Sequence, residues 1–429
     1  MRLRNFLVGA ALMALSAAAA AAPTYIHAGR VIAIPGASVM GPSTIIIDNG
    51  HIQSVEGGHL AAPPGAALID LRAKTVLPGL IDSHVHLATD AGGEARLVRE
   101  MRQEPALNAL EAQSNGMKTL RAGFTTVRNL GDDGGITLAL RDAIARGWVQ
   151  GPRIIDAAQS LSTTGGHMDG RGALNDDLVA HLPSPENLCD STESCRRVVR
   201  RQIDRGADVI KFATTGGVNS GTGLATRMFG DEAKSLVETA HAYGRKVAVH
   251  AHGADGIKLA LRAGADSIEH GTVMDDEILR LMREKGTYYV PTLSTVNGYL
   301  ERLAKDPNAY APAVKKQVDW RIGITGQSLA KAYPAGVRIA FGTDAGVSKH
   351  GRNADEFELM VKFGMPPVEA LKAATVNAAD LLGLASEVGT IEAGKSADII
   401  AVTGDPLQDV TVLKQVEFVM ARGEVVKGP

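Results

Sequence analysis

From Leu77 to about residue 382 the chain repeats one unit, a short apolar run followed by a helical stretch, and this alternation limits the fold more than any other feature. Candidate strands lie near 80–84, 125–130, 153–158, 208–213, 246–251, 267–271, 288–293 and 338–344. Helical stretches such as Pro105 to Arg121, Ile136 to Ala145, Asp231 to Tyr243 and Asp275 to Lys285 separate them. Strands joined by helices pair in parallel, because the helix carries the chain back to the edge where it started. Eight such units in about 300 residues predict an α/β chain built on a (β/α)8 TIM barrel.

Both ends of the chain read differently. Tyr25 to His27, Arg30 to Ala33, Ser43 to Ile47 and His51 to Val55 are short strands broken by Gly, Pro and Asn, with Asp48-Asn49-Gly50 as a hairpin turn. Past the helix Pro367 to Leu382, strands return at Asp398 to Val402 and Val416 to Met420. They predict a small β-sandwich domain made of 23–77 and 384–429, with the barrel, 78–383, inserted within it; domain termini that lie close together make such insertion easy.

Met1-Arg2-Leu3-Arg4, the apolar run Phe6 to Leu15 and the alanines that follow have the order of an export signal, predicting removal of residues 1–22 and a periplasmic or secreted protein. Loss of Arg2 and Arg4 takes the formal net charge from −2 to −4. That leaves no basic surplus for a nucleic-acid partner. No later stretch is apolar enough to span a bilayer, so no membrane partner is expected. Cys189 and Cys195 are the two cysteines. In an oxidising compartment they form a local disulfide, the alternative being two free thiols; a zinc site would need a second close-spaced pair.

The chemistry-bearing residues sit at strand ends. His84 and His86 close the run Gly79-Leu80-Ile81-Asp82-Ser83-His84-Val85-His86, and alternation along a strand points both to one side. Lys211 ends Asp208-Val209-Ile210-Lys211, His250 ends Val247-Ala248-Val249-His250, His270 ends Ser267-Ile268-Glu269-His270, and Asp344 ends 339–344. In a barrel these ends converge on one mouth, so His84 with His86 would hold one metal ion and His250 with His270 another. Zinc suits imidazole nitrogen, although spacing alone leaves manganese, cobalt and iron open. An ammonium at Lys211 would be repelled by two cations. If its neutral amine adds carbon dioxide, the carbamate becomes an anionic bridge instead. Taken singly, each residue has a plainer reading: polar histidines at a loop, a lysine leaning to solvent, an Asp344 that caps a helix. The set together favours the metal centre.

With these residues in place, the chain resembles the amidohydrolase superfamily. Val76-Leu77-Pro78-Gly79-Leu80-Ile81-Asp82-Ser83-His84-Val85-His86 is similar to the family's opening, and Gly389-Thr390-Ile391-Glu392-Ala393-Gly394-Lys395-Ser396-Ala397-Asp398 to its closing segment. Val249-His250-Ala251-His252-Gly253 through Gly264 to Thr272 resembles the branch of Xaa-Pro dipeptidases, related carboxypeptidases and ochratoxin-degrading amidohydrolases, with imidazolonepropionases as cousins. The resemblance implies a hydrolase of amide or peptide bonds that acts on a small molecule and releases a carboxyl-terminal amino acid, phenylalanine from ochratoxin A included. It also implies two divalent ions, N6-carboxylysine at Lys211, Asp344 as both ligand and proton carrier, and a homo-oligomer.

Four further residues are candidates for substrate binding. His167, in Thr163-Thr164-Gly165-Gly166-His167, could reach the substrate carbonyl, and His252 could do so or replace His250 as a ligand. Arg128 on the second strand and Tyr289 (or Tyr288) on the seventh could clamp a carboxylate. Their plainer readings are a solvated histidine, a surface ion pair and packing. The competing function is a mononuclear deaminase or a cyclic-amide hydrolase of the imidazolonepropionase type, against which Lys211 argues.

Overall fold

The computed structural model describes residues 22–90, 99, 102–132, 134–171, 174–182, 185–220 and 223–428. The expected export signal, apart from Ala22, lies outside the described residues. The two ends of the chain meet in one seven-stranded sheet. From the N-terminal side come β1 (Thr24–Val31), β2 (Ser43–Asp48), β3 (His51–Gly57) and β4 (Ala67–Pro78). The C-terminal side supplies β12 (Ile399–Val402), β13 (Phe418–Ala421) and β14 (Glu424–Lys427). The order is β14-β13-β12-β4-β1-β2-β3, antiparallel except where β1 lies parallel to β4. Ile26, Ile45, Ile52, Val76, Ile399 and Phe418 share one buried cluster, so burial of apolar surface joins segments more than 300 residues apart. The sequence reading does not anticipate β4. The first eight residues of this strand are largely exposed, yet Ile69, Leu71 and Ala73 alternate with Asp70, Arg72 and Lys74, a strand pattern that the reading passed over.

The middle of the chain is parallel. β5 (Leu80–Val85), β6 (Phe124–Asn129) and β7 (Arg153–Asp156) form a three-stranded sheet. β8 (Val209–Ala213), β9 (Lys246–Ala251), β10 (Ser267–His270) and β11 (Tyr288–Val290) form a four-stranded one. Most of these strands are buried throughout, as parallel strands covered by helices must be. The expected eighth strand, 338–344, is not a strand. It is an extended segment that bridges Tyr289 through Ile339 and Val85 through Ala345, with Ser83 N donating to Phe341 O at 2.9 Å and Asp344 N to His84 O at 2.7 Å. A φ of 57° at Asp344 breaks the strand repeat there. On the other side, a bridge between Leu161 and Phe212 and the bond from Asp208 N to Asp156 O at 2.7 Å link the two parallel sheets.

Helices Pro105–Arg121 and Ile136–Ala145 have the predicted bounds. Helix Asp276–Lys285 starts where the Asp275 carboxylate accepts from Ile278 N. The predicted helix Pro367 to Leu382 is two, Pro367–Ala373 and Val376–Leu382, broken at Ala374 and Thr375. Cys189 and Cys195 are joined in a disulfide ahead of and within helix Thr192–Asp204.

One buried carboxylate ties the segment after β11 to a helix. Glu356, in helix Asp355–Lys362, accepts from Leu293 N at 2.8 Å and Ser294 N at 2.6 Å. Burial outweighs those bonds and pushes its carboxyl up from 4.5 to about 7. A value raised in the folded state means that folding takes up a proton. The contribution is most favourable below about pH 4.5 and is lost as pH rises through about 7. Glu356→Gln is expected to flatten that dependence. Denaturant titrations should show the parent losing up to roughly 3 kcal/mol relative to the variant across this range.

Candidate metal centre

His84 comes from β5, Lys211 from β8, His250 from β9, His270 from the end of β10, and Asp344 from the segment that bridges β11 to β5. His86 follows β5 directly. His86 Nε2 lies 3.3 Å from Asp344 Oδ1, His84 Nε2 lies 3.5 Å from the same oxygen, and Lys211 Nζ is 3.5 Å from His84 Nε2. The rings of His84 and His250 both pack on His270, at centroid separations of 5.0 Å and 4.6 Å. All six predicted ligands therefore meet in one place. Two groups bring potential ligand atoms within 4.8 Å of one another: His250, His252 and His270, and His84, His270 and Asp344.

Backbone conformation helps aim them. His270 and Asp344 have φ of 70° and 57°, and Thr292, which bonds His270, has 48°. Such values are uncommon away from glycine and cluster where function holds them in place. Asp82, four residues before His86, ties the two sides of the site together. Its carboxylate accepts from His84 N and Thr343 N, both at 3.1 Å, and from Thr343 Oγ1 at 2.6 Å and Asn353 Nδ2 at 2.7 Å.

The hydrogen bonds fix which ring nitrogens face inward. His84 Nδ1 donates to the Glu269 carboxylate at 2.8 Å, which leaves the lone pair of Nε2 directed at Asp344 and Lys211. His86 Nδ1 donates to Gly131 O at 2.9 Å, directing Nε2 at Asp344, and His250 Nε2 donates to Gly216 O at 3.2 Å, leaving Nδ1 free. His252 and His270 use Nδ1 on the hydroxyls of Thr272 and Thr292, each at 2.7 Å. Burial, reinforced by neighbouring positive charge, lowers His84 to about 4 and holds His250, His252 and His270 well below the usual 6.5. These rings are neutral at pH 7. A neutral nitrogen lone pair facing a carboxylate oxygen across 3.5 Å is repulsive unless a cation lies between them. The nitrogen and oxygen donors gathered here suit a divalent ion of the zinc type.

The charged residues are tuned to match. Burial disfavours charge on Asp344, yet its carboxyl is held below the usual carboxylate range, the Lys211 ammonium being a neighbouring positive charge that favours the ionised form. Burial pulls Lys211 down from 10.5 to about 8, so an appreciable share of its amine is neutral near neutral pH.

The substrate-binding expectations fare less evenly. His167 stacks on His250 with centroids 4.2 Å apart, and its Nδ1 lies 3.2 Å from Ser220 Oγ, so it stands beside the cluster. His252 is inside the cluster beside His250 and His270, so it joins His250 there rather than standing in its place. Arg128 and Tyr289 correct the expectation of a carboxylate clamp. Arg128 is buried with its guanidinium bonded to Ser83 O, Ser267 Oγ and Glu269, and the buried Tyr289 hydroxyl donates to His270 O at 3.2 Å. Both are buried and turned to these protein partners. Tyr288 is bound to Asp380 and Arg338. Sequence reasoning also missed Glu269, although a carboxylate inside the apolar strand Ser267–His270 is a signal that it has a partner. His350 is buried with Nε2 near the carbonyls of His86 and Thr89. Thr272 and Thr292 carried no sequence signal.

Comparison with known proteins places this geometry. Residues 75–426 match the Amidohydrolase family. The ochratoxinase of Aspergillus niger is 34% identical over 384 residues, covering 83% of this chain and 77% of that protein. A crystal structure of a Xaa-Pro dipeptidase with methionine bound in its active site superposes with a TM-score of 0.89 at 40% identity, covering 95% of this chain and all of that one. The imidazolonepropionase of Sphingopyxis alaskensis is 27% identical, covering 87% of this chain and 91% of its own length. With most of its length matched and its ligand-type residues gathered in one buried cluster, the chain belongs to the Amidohydrolase family and is a hydrolase acting on C–N bonds.

Proposed function

We propose that this protein is a binuclear metal-dependent hydrolase that releases a carboxyl-terminal amino acid from dipeptides or N-acyl amino acids. The observation that carries the reading is the set of inward-facing imidazole lone pairs around Asp344 and Lys211. His84, His86 and Asp344 would hold one ion and His250 with His270 the other, with Lys211 between them as a carbamate. To form it, the neutral amine attacks carbon dioxide and gives up a proton to solvent. Divalent ions, zinc foremost, supply Lewis acidity and make water acidic enough to be deprotonated near neutral pH. Asp344, beside His84 and His86, takes the proton of the attacking water and returns it to the departing amine, without which an amide does not cleave. His167, stacked on His250, is positioned to donate to the substrate carbonyl oxygen as it gains charge.

The wider architecture of this reading is a closed (β/α)8 barrel over residues 78–383, in which the bridging segment 339–345 serves as the eighth strand. Residues 23–77 and 384–429 form the small companion domain, whose sheet folds over as a sandwich. Export through residues 1–22 fits the Cys189–Cys195 disulfide, since such bonds persist in oxidising compartments. Assembly into a homo-oligomer belongs to the same reading.

The substrate class rests on likeness to the ochratoxinase and the Xaa-Pro dipeptidase. The test is a cleavage profile over Xaa-Pro dipeptides, N-acyl amino acids with varied carboxyl-terminal residues, and ochratoxin A, run beside elemental analysis. Two metal equivalents with turnover that is lost on chelation and restored by zinc are expected. Full activity in metal-stripped protein would overturn the reading. The trio His250, His252 and His270 gives some support to the mononuclear alternative, a cyclic-amide hydrolase. One metal equivalent with activity on an imidazolone ring and none on the panel would favour it.

A further inference from the structure

Among the described residues five imidazoles form the site, with His167 stacked beside them, and the partner behind each of the five differs in one respect. His86 and His250 lean on backbone carbonyls, and His252 and His270 on threonine hydroxyls. His84 alone leans on a carboxylate, Glu269 Oε2, at 2.8 Å. The other oxygen of Glu269 is taken by Arg128 Nη2 at 2.8 Å and by Ser267 Oγ at 2.5 Å. Arg128 continues the bracket: its Nε donates to Ser83 O at 2.6 Å, one residue from His84, and its Nη1 donates to Ser267 Oγ at 3.1 Å. Arg128, Glu269 and His84 are all fully buried. The bracket therefore joins β5, β6 and β10 across the interior, and it holds both the backbone and the ring of His84.

We propose that Glu269, braced by Arg128, is a positioning residue that fixes the His84 ring and its tautomer for metal capture. A bond from a ring N–H to a carboxylate is stronger than one to a neutral oxygen. It locks the proton on Nδ1 and enriches the electron density on Nε2, the atom that faces Asp344 and Lys211. The ion held through His84 is therefore the one whose affinity depends on this pair. The ion on the His250 side, where every ring rests on a neutral acceptor, does not share that dependence. The inference rests on the binuclear reading given above.

A plainer account treats Arg128 and Glu269 as a buried ion pair that only fills the core. Apolar residues of similar volume often replace such a pair at little cost, and this separates the two accounts. The experiment uses the full chain, stripped of metal by chelation and titrated with zinc and, separately, with cobalt, whose absorption reports its ligands. Three proteins are compared: the parent, Glu269→Gln, and the double variant Arg128→Met with Glu269→Leu, which leaves no buried charge unpaired. The expected result is that one of two metal equivalents binds about 10- to 100-fold more weakly in both variants, the other equivalent being unchanged. The cobalt spectrum should change for the weakened equivalent only, and kcat should recover at saturating metal while KM stays near the parent value. The double variant keeps the test decisive if Glu269→Gln does not fold. Parent-like affinity for both equivalents in the double variant, whatever its melting temperature, would overturn the proposal. A parent that binds no metal would instead bring down the binuclear reading, and the two failures are told apart by that measurement alone.

Discussion

Lys211→Ala is expected to lose bound metal and catalytic rate together. Lys211 is buried among His84, Glu269 and Asp344, and its amine approaches His84 Nε2 to 3.5 Å. In the proposed centre Lys211 is a bridging ligand, and removing such a ligand costs more than removing an outer partner, which alone typically costs 10- to 100-fold. The fall in kcat/KM should therefore exceed about 100-fold, with less than one metal equivalent retained by elemental analysis. Alanine leaves a cavity where the side chain stood, and a short carboxylic acid can enter it with its two oxygens as substitute ligands. Partial recovery of metal and rate with added acetate or propionate is expected. Retention of both metals without additive would show that the lysine is no bridge.

The second large effect is expected at Asp344. Asparagine matches its shape but can neither accept a proton from water nor pass one to the departing amine. General acid–base assistance of this kind is worth about 10²- to 10⁴-fold, so Asp344→Asn should lower kcat by that range with KM changed only a few-fold. Most of the metal should stay, because the ring nitrogens of His84, His86, His250 and His270 remain. Steady-state kinetics paired with metal analysis checks both halves. A variant within about tenfold of the parent in kcat would remove Asp344 from the proton path.

Most of the order of elements, and the residues that gather in the buried cluster, were legible because both are local patterns. An apolar run ending in His84-x-His86, or in His250, records the strand and its terminal residue in consecutive letters. Helix starts were legible where a side chain caps them, as at Asp275. What failed had non-local causes. The expected eighth strand, 338–344, breaks at Asp344, whose φ of 57° is held by contacts with distant segments that no local propensity encodes. β4 is the exception: Ile69, Leu71 and Ala73 alternate with Asp70, Arg72 and Lys74, a local strand pattern that went unread, and β1 and β12 flank it. Arg128 and Tyr289 looked like clamps because a polar residue near a strand end suggests a mouth. Their true partners, Glu269 and the carbonyl of His270, are supplied by β10 across the interior.

The sequence by itself determined the repeating strand and helix units, the pairing of both termini with a different kind of structure, and the residues able to bind metal, because periodicity and residue type are properties of short stretches. Only the tertiary structure decided which nitrogen of each ring faces inward, that His252 joins the cluster, and that a carboxylate braced by Arg128 stands behind His84. Those outcomes depend on hydrogen bonds between segments from 20 to 185 residues apart, and a buried donor takes whichever acceptor the fold brings to it.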